Sequence, residues 1–328
     1  MSPRRPMLSL GLDLDNLWAY MKIHGDAGWD AYPSYLDTLV PMMLDVLREH
    51  RLTITVFVVG QDAALEKNRA ALSSISAAGH EIGNHSFRHE PWFHLYTTAE
   101  VEIEIRSAEE AIETATGKRT RGFRGPGYSF SPDTLRTLVR RGYLYDCSSL
   151  PTFLGPLARA YYFWTSGKMS SEERHKRSKL YGTLKDGMQP LRPYTWLVDG
   201  RELVELPVTT MPGFRVPFHL SYLLYLRRFS RAAAWTYLRT CLAVCRMTGI
   251  SPSYLLHPLD FLGGDRVREL AFFPGMDLPT EKKLDFVHEV LAAIQESFDV
   301  VPLEAHAKTV GVRSPNGARC ISRELALE

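Results

Sequence analysis

Between residues 7 and 149 the chain alternates between short apolar runs and stretches whose apolar residues recur at helical spacing. The runs MLSLGLD (7–13), LTITVFVVG (52–60), HEIGN (80–84), RGFRGP (121–126) and YLYDCSS (143–149) read as strands. Between them, four segments read as amphipathic helices. These are PSYLDTLVPMMLDVLREH (33–50), with Pro33 in its first turn, and DAALEKNRAALSSISAAG (62–79), which stops at Gly79. TTAEVEIEIRSAEEAIETATG (97–117), capped by Thr97 or Thr98, and SPDTLRTLVRRG (131–142) follow. Single crossovers of this kind predict an α/β fold with a parallel sheet covered by helices, or a barrel, with chemistry collected at the carboxyl ends of the strands.

Residues 150–200 break the rhythm. They hold eight Lys or Arg against four acids, with the aromatic cluster YYFW at 161–164. Alternation resumes with the strand RELVELPVTT (201–210), a long helical segment at 217–248 and the strand SYLLHPLDF (253–261). A helix at 280–297 and the strand FDVVPL (298–303) complete the series. The expectation is one domain over 7–303 with a basic, aromatic insertion at 150–200. A flexible N-terminus (1–6) and a loose polar tail (304–328) flank it.

Composition narrows this picture. Of 328 residues, 45% are hydrophobic and 23% charged, as in soluble globular proteins, and a net charge of +2 argues against nucleic acid as a partner. Cys147, Cys241, Cys245 and Cys320 lack paired-ligand spacing and read as reduced thiols. No apolar run suits a signal peptide or reaches the roughly 18–20 residues of a bilayer span, so a cytoplasmic location is expected.

The polar residues at the strand ends carry the chemistry. Asp13 and Asp15 stand two apart at a strand end, so both point to one face. His85 and His89, four apart in GHEIGNHSFRHEPW, converge if the chain turns helically after residue 84. A carboxylate and two imidazoles form a common ligand set for a catalytic divalent metal. Such a metal lowers the pKa of a bound water from about 15.7 towards 7, and the second aspartate is free to take the proton. Arg124 in FRGPGY is placed to hold that base, and the turn at Pro126, Gly127 and Tyr128 offers backbone N–H groups to a developing oxyanion. His257 in LLHPLDF, at a late strand end, is a candidate general acid for a leaving amine.

In this order Asp-x-Asp, HSFRH, FRGPGY, YDCSS and LLHP resemble the five motifs of the polysaccharide deacetylases, the NodB-like carbohydrate esterases of family 4, over residues 7–303. The resemblance implies a distorted (β/α)7–8 barrel and metal-dependent hydrolytic removal of an N-acetyl group from an amino sugar. By position Asp15, His85 and His89 would bind the metal, with Asp13 as base, Arg124 as its tether and His257 as acid. Zinc is the first expectation for the metal, with cobalt, nickel or manganese as alternatives. The family's first motif usually has adjacent aspartates, whereas Leu14 separates them here. Its fourth usually pairs an aspartate with a tryptophan to orient the catalytic histidine; Asp146 is the candidate for that role and has no such tryptophan after it.

For substrate, the basic amphipathic stretch 216–246 and the insertion suggest peripheral contact with an anionic membrane on its cytoplasmic face. They point to an N-acylated amino sugar on a lipid carrier. Removal of formyl in place of acetyl is an alternative within hydrolysis. An Asp-x-Asp glycosyltransferase or a non-catalytic sugar-binding domain are alternatives of other classes. The former would leave His85, His89 and His257 idle.

Overall fold

Leu8, Leu10 and Leu12 are fully buried, and so are Ser9 and Gly11 between them, so the first strand has no solvent face. A strand covered on both sides is what a parallel sheet under helices requires. In this computed structural model residues 5–155, 186–310 and 322–324 are described; the YYFW cluster, Cys320 and most of the basic segment lie outside them. The elements run β1 (Met7–Asp13), α1 (Leu17–His24), α2 (Leu36–Glu49), β2 (Thr55–Val58), α3 (Gly60–Ala63), α4 (Arg69–Ala77), β3 (Glu81–Asn84), α5 (Thr98–Thr116), β4 (Gly122–Phe123), α6 (Pro132–Arg141) and β5 (Tyr145–Asp146). Then come β6 (Tyr194–Val198), β7 (Arg201–Glu205), α7 (Leu220–Arg227), α8 (Arg231–Thr248), β8 (Ser253–Leu256), α9 (Thr280–Ser297), β9 (Asp299–Val301), α10 (Leu303–Val310) and β10 (Ser322–Glu324).

The strands order as β10-β6-β7-β5-β4-β3-β2-β1-β8, with β9 also on β1. All neighbours are parallel except the β6–β7 hairpin. Beyond β7 the chain crosses to the far limb: the Thr209 amide donates to the Ser253 carbonyl at 3.0 Å, and the Ser253 amide donates to Thr209 Oγ1 at 2.8 Å. That contact joins the segment after β7 to the β8 edge, with β6 and β10 outside the closure, and gives the distorted barrel that the resemblance implied. Leu12 on β1 pairs with Leu256 on β8, so Asp13 and His257 leave neighbouring strand ends.

Four expectations change. The helix at 62–79 is two helices, α3 and α4, because Leu65 is extended and a buried Asp62 accepts from Asn16, Trp18 and Asn68 at the break. The 217–248 segment is likewise two helices, with the Ser230 side chain capping the second through the Ala233 amide. The tail from 304 begins as α10, whose Leu303, His306 and Ala307 are buried. The segment at 150–200 ends in β6, a strand of the sheet and not part of an insertion.

The amphipathic stretch is used internally. Leu220, Leu223, Leu224, Leu238 and Leu242 are buried in the main core. Arg228 pairs with Asp277 at 3.0 Å, while Arg231 and Arg239 reach Glu289 and Glu296 on α9 at 2.5 and 3.4 Å.

Candidate active site

Asp13 ends β1 and meets Arg124 just past β4, Nη1 to Oδ1 at 2.6 Å. Arg124 is fully buried; its Nε donates to the Cys147 carbonyl at 3.2 Å, and its guanidinium lies over the Phe57 ring at 4.5 Å. A guanidinium packed on an aromatic face and fixed at both ends is a rigid tether for the carboxylate it bonds.

Asp15, one residue beyond Leu14, faces the two histidines. Its Oδ1 lies 3.3 Å from His85 Nε2 and 2.9 Å from His89 Nε2. The three potential ligand atoms fall within 4.8 Å of one another. The chain does not turn helically to achieve this. Ser86 and His89 adopt left-handed φ angles of 60° and 54°, and the loop is stitched from outside. The Asn84 side chain accepts from the Ser86 amide, and the buried Glu104 carboxylate of α5 accepts from the Phe87 and Arg88 amides at 3.0 and 2.8 Å. His85 Nδ1 donates to the Arg124 carbonyl at 2.6 Å, which leaves Nε2 with its lone pair towards Asp15.

The donor set fits a divalent cation. Asp15 Oδ1 and His89 Nε2 are buried with no hydrogen-bond partner among the described residues, an arrangement that costs free energy unless an electron-pair acceptor joins it. Burial alone would raise the Asp15 pKa, but His89 and His85 outweigh it and hold the carboxyl well below the usual carboxylate range.

His257, just past β8, is half-buried. Its Nδ1 lies 3.1 Å from Ser221 Oγ, whose single proton goes to Asp260 Oδ1 at 2.7 Å. The hydroxyl therefore accepts from Nδ1–H, and Nε2 takes no part in that contact. Asp260 Oδ2 also accepts from the His257 amide at 2.7 Å, so one buried carboxylate fixes both the backbone and the ring.

Two sequence expectations are corrected. Asp146 does not orient His257. It accepts from Ser148 Oγ at 2.6 Å and faces Glu205, and burial pushes its carboxyl up to about 6. Glu205, raised further by burial and by Asp146, accepts from the Ser149 amide and Trp196 Nε1. Nor is the Tyr128 amide free for an oxyanion, since it donates to the Gly125 carbonyl at 3.0 Å. Gly127, at φ 58°, is exposed at the tip of that turn. Tyr128 keeps its side chain near Asp13, where burial and then that carboxylate push the phenol well above its usual range.

Sequence reasoning missed Ser221, Asp260, His219 and Glu104. Asp260 had a signal, the HPLD spacing that returns a carboxylate to its own turn. Ser221 and His219 had none, because they reach His257 from 36 and 38 positions away on another element.

Residues 26–145 match the family model for polysaccharide deacetylases. The chain is 36% identical over 110 residues to the peptidoglycan-N-acetylmuramic acid deacetylase PdaA of Bacillus subtilis, covering 33% of this chain and 41% of that protein. It is 36% identical over 104 residues to a chitooligosaccharide deacetylase of Sinorhizobium fredii, covering 31% and 46%. The match thus spans less than half the length of either relative. His85, His89 and Arg124 fall inside the matched residues, and geometry alone joins Asp13, Asp15 and His257 to them. A solved Mycobacterium smegmatis structure named for the polysaccharide deacetylases superposes with a TM-score of 0.60 at 20% identity, covering 100% of this chain and 97% of that one, so the fold is shared throughout. Residues 26–145 thus resemble the polysaccharide deacetylases, the NodB-like carbohydrate esterases, and the fold shared with the Mycobacterium smegmatis protein extends over the rest of the chain.

Proposed function

We propose that this protein hydrolyses the N-acetyl group of an amino sugar with the help of one divalent metal ion. The observation that carries the reading is the convergence of Asp15, His85 and His89 beside a separately tethered carboxylate, Asp13. Asp15, His85 and His89 would hold the ion, which supplies a water made acidic enough to attack at neutral pH and a polarised acyl oxygen.

Asp13 would take the proton of the attacking water as the water oxygen bonds to the acyl carbon. Arg124 keeps Asp13 in place and off the ligand set. When the carbon–nitrogen bond breaks, His257 in its doubly protonated form gives the Nε2 proton to the departing amine and keeps Nδ1–H, and acetate remains. Ser221 and Asp260 hold the ring so that Nδ1–H is spoken for throughout. Zinc is the expected metal; the donor set also admits cobalt, nickel or manganese.

The finer form of the proposal makes the amino sugar lipid-linked and the enzyme peripheral on the cytoplasmic face of a membrane. Exposed Tyr225, Phe229 (73% exposed) and Met247 (84% exposed) along α7 and α8 support it. The inward use of the apolar stripe and the pairing of its arginines count against it. Among the described residues no helix is long and apolar enough to cross a bilayer.

The deciding experiment measures acetate and formate release side by side from soluble and lipid-linked N-acyl amino sugars, with metal content determined on the same preparation. Release of neither acid with stoichiometric metal bound would sink the hydrolase reading. Recovery wholly in the soluble fraction after flotation with anionic liposomes would sink its membrane form.

A further inference from the structure

His219 belongs to none of the motifs, yet it sits against the acid. It immediately precedes α7, in extended conformation and with no side-chain capping bond. A position that usually carries Ser, Thr, Asp or Asn to satisfy free amides is here given to a ring that does not cap. The start of α7 brings three side chains to one wall. Ser221 holds His257, Tyr222 packs edge-on to the His219 ring at 4.7 Å, and the His219 ring lies 5.7 Å from that of His257. His219 is 4% exposed, and its Nδ1 is buried without a hydrogen-bond partner among the described residues. A buried nitrogen left unsatisfied in the free protein is a place where a ligand's polar atom gains most.

Depth decides which part of the substrate arrives there. His257 is half-buried, whereas His219, Asp13 and Arg124 lie deeper. The leaving amine carries the sugar and must stay at the shallower His257. The acyl group, whose carbon has to approach Asp13, goes inward. Burial, then His257 and Arg124, push the His219 imidazole well below the usual histidine range, so it remains a neutral ring with one donor and one acceptor.

Resting on the deacetylase reading above, we infer that His219 lines the acyl end of the pocket and determines which acyl group the site accepts, favouring small acyl groups and those with a polar substituent. Its ring limits the room beyond the acyl carbon. Its unpartnered nitrogen rewards a hydroxyl placed there.

The test compares kcat/KM for N-acetyl, N-glycolyl and N-propionyl glucosamine oligomers with the wild-type protein, His219→Leu and His219→Ala. His219→Leu, close in size but apolar, should lower the glycolyl-to-acetyl ratio by about 10-fold or more. His219→Ala should raise the propionyl-to-acetyl ratio by roughly 10-fold or more, the scale on which a pocket resolves one methylene. Ratios within twofold of wild type in both folded variants overturn the inference, even if absolute rates fall. Saturation-transfer NMR titrations with acetate, glycolate and propionate read the same pocket without turnover. If the wild type deacylates nothing, the deacetylase reading fails on its own. Selectivity among the three carboxylates that shifts in the variants then still supports His219 as an acyl-end residue, and unchanged selectivity overturns it.

Discussion

Arg124 Nη1 stands 2.6 Å from Asp13 Oδ1, and the two side chains, 111 positions apart in the chain, are 0% and 6% exposed. The proposed base is thus one half of a buried ion pair. Breaking such a pair from one side strands the other charge, which costs about 3–5 kcal/mol. Arg124→Met should lose stability on that scale in urea unfolding and lose turnover more than 100-fold. A variant with wild-type stability would show that the pair is not buried in solution.

Metal and base should separate by mutation. His85→Ala and His89→Ala are expected to lose bound metal and activity together, as is protein treated with chelator until metal is re-added. Asp13→Asn should retain metal at one equivalent by elemental analysis and lose turnover by a factor of about 10²–10⁴, the usual contribution of a general base. Loss of metal in Asp13→Asn would mean that the two aspartates exchange roles.

The carboxylate behind the proposed acid is Asp260, so Asp260→Asn should reduce kcat by about 10-fold or more and displace the pH profile of kcat. Asp146→Asn should keep kcat within about threefold. The opposite ranking would restore Asp146 as the partner of His257.

The Asp146–Glu205 pair predicts a slope in stability against pH. Both carboxyls are raised in the folded state, Asp146 to about 6 and Glu205 well above its usual range, chiefly by burial. Between the unfolded carboxyl range near pH 4 and these raised values, the folded protein holds protons that the unfolded chain has released. Stability from this pair therefore falls as pH rises through that window. In Asp146→Asn the new amide can donate to Glu205, so melting temperatures measured from pH 5 to 8 should decline less steeply than in wild type. An unchanged slope would place the titration elsewhere.

Much of the site was legible because its parts lie at strand ends. Asp13, His85, Arg124 and His257 each follow a run whose β-branched or apolar content marks a strand, and parallel strands deliver their ends to one side of the sheet. What escaped was of two kinds. The left-handed loop that brings His89 to Asp15 depends on Glu104, whose buried carboxylate on a glutamate-rich helix looks like any surface glutamate in the sequence. The support of His257 comes from Ser221 on a helix whose apolar stripe and arginines were read as a membrane face. Periodicity cannot tell a stripe that packs on its own barrel from one that packs on lipid. The hairpin strand β6 was hidden inside a segment read by composition alone.

The register of Leu12 on Leu256 has a further consequence. The residues proposed to begin and to finish the reaction follow the same rung of one main-chain ladder, so their backbones stay in register when surface loops move. Variation among relatives in what they accept would then have to arise in the loops around this fixed pair. A redesigned specificity could be sought there without disturbing the distance a proton has to be handed across.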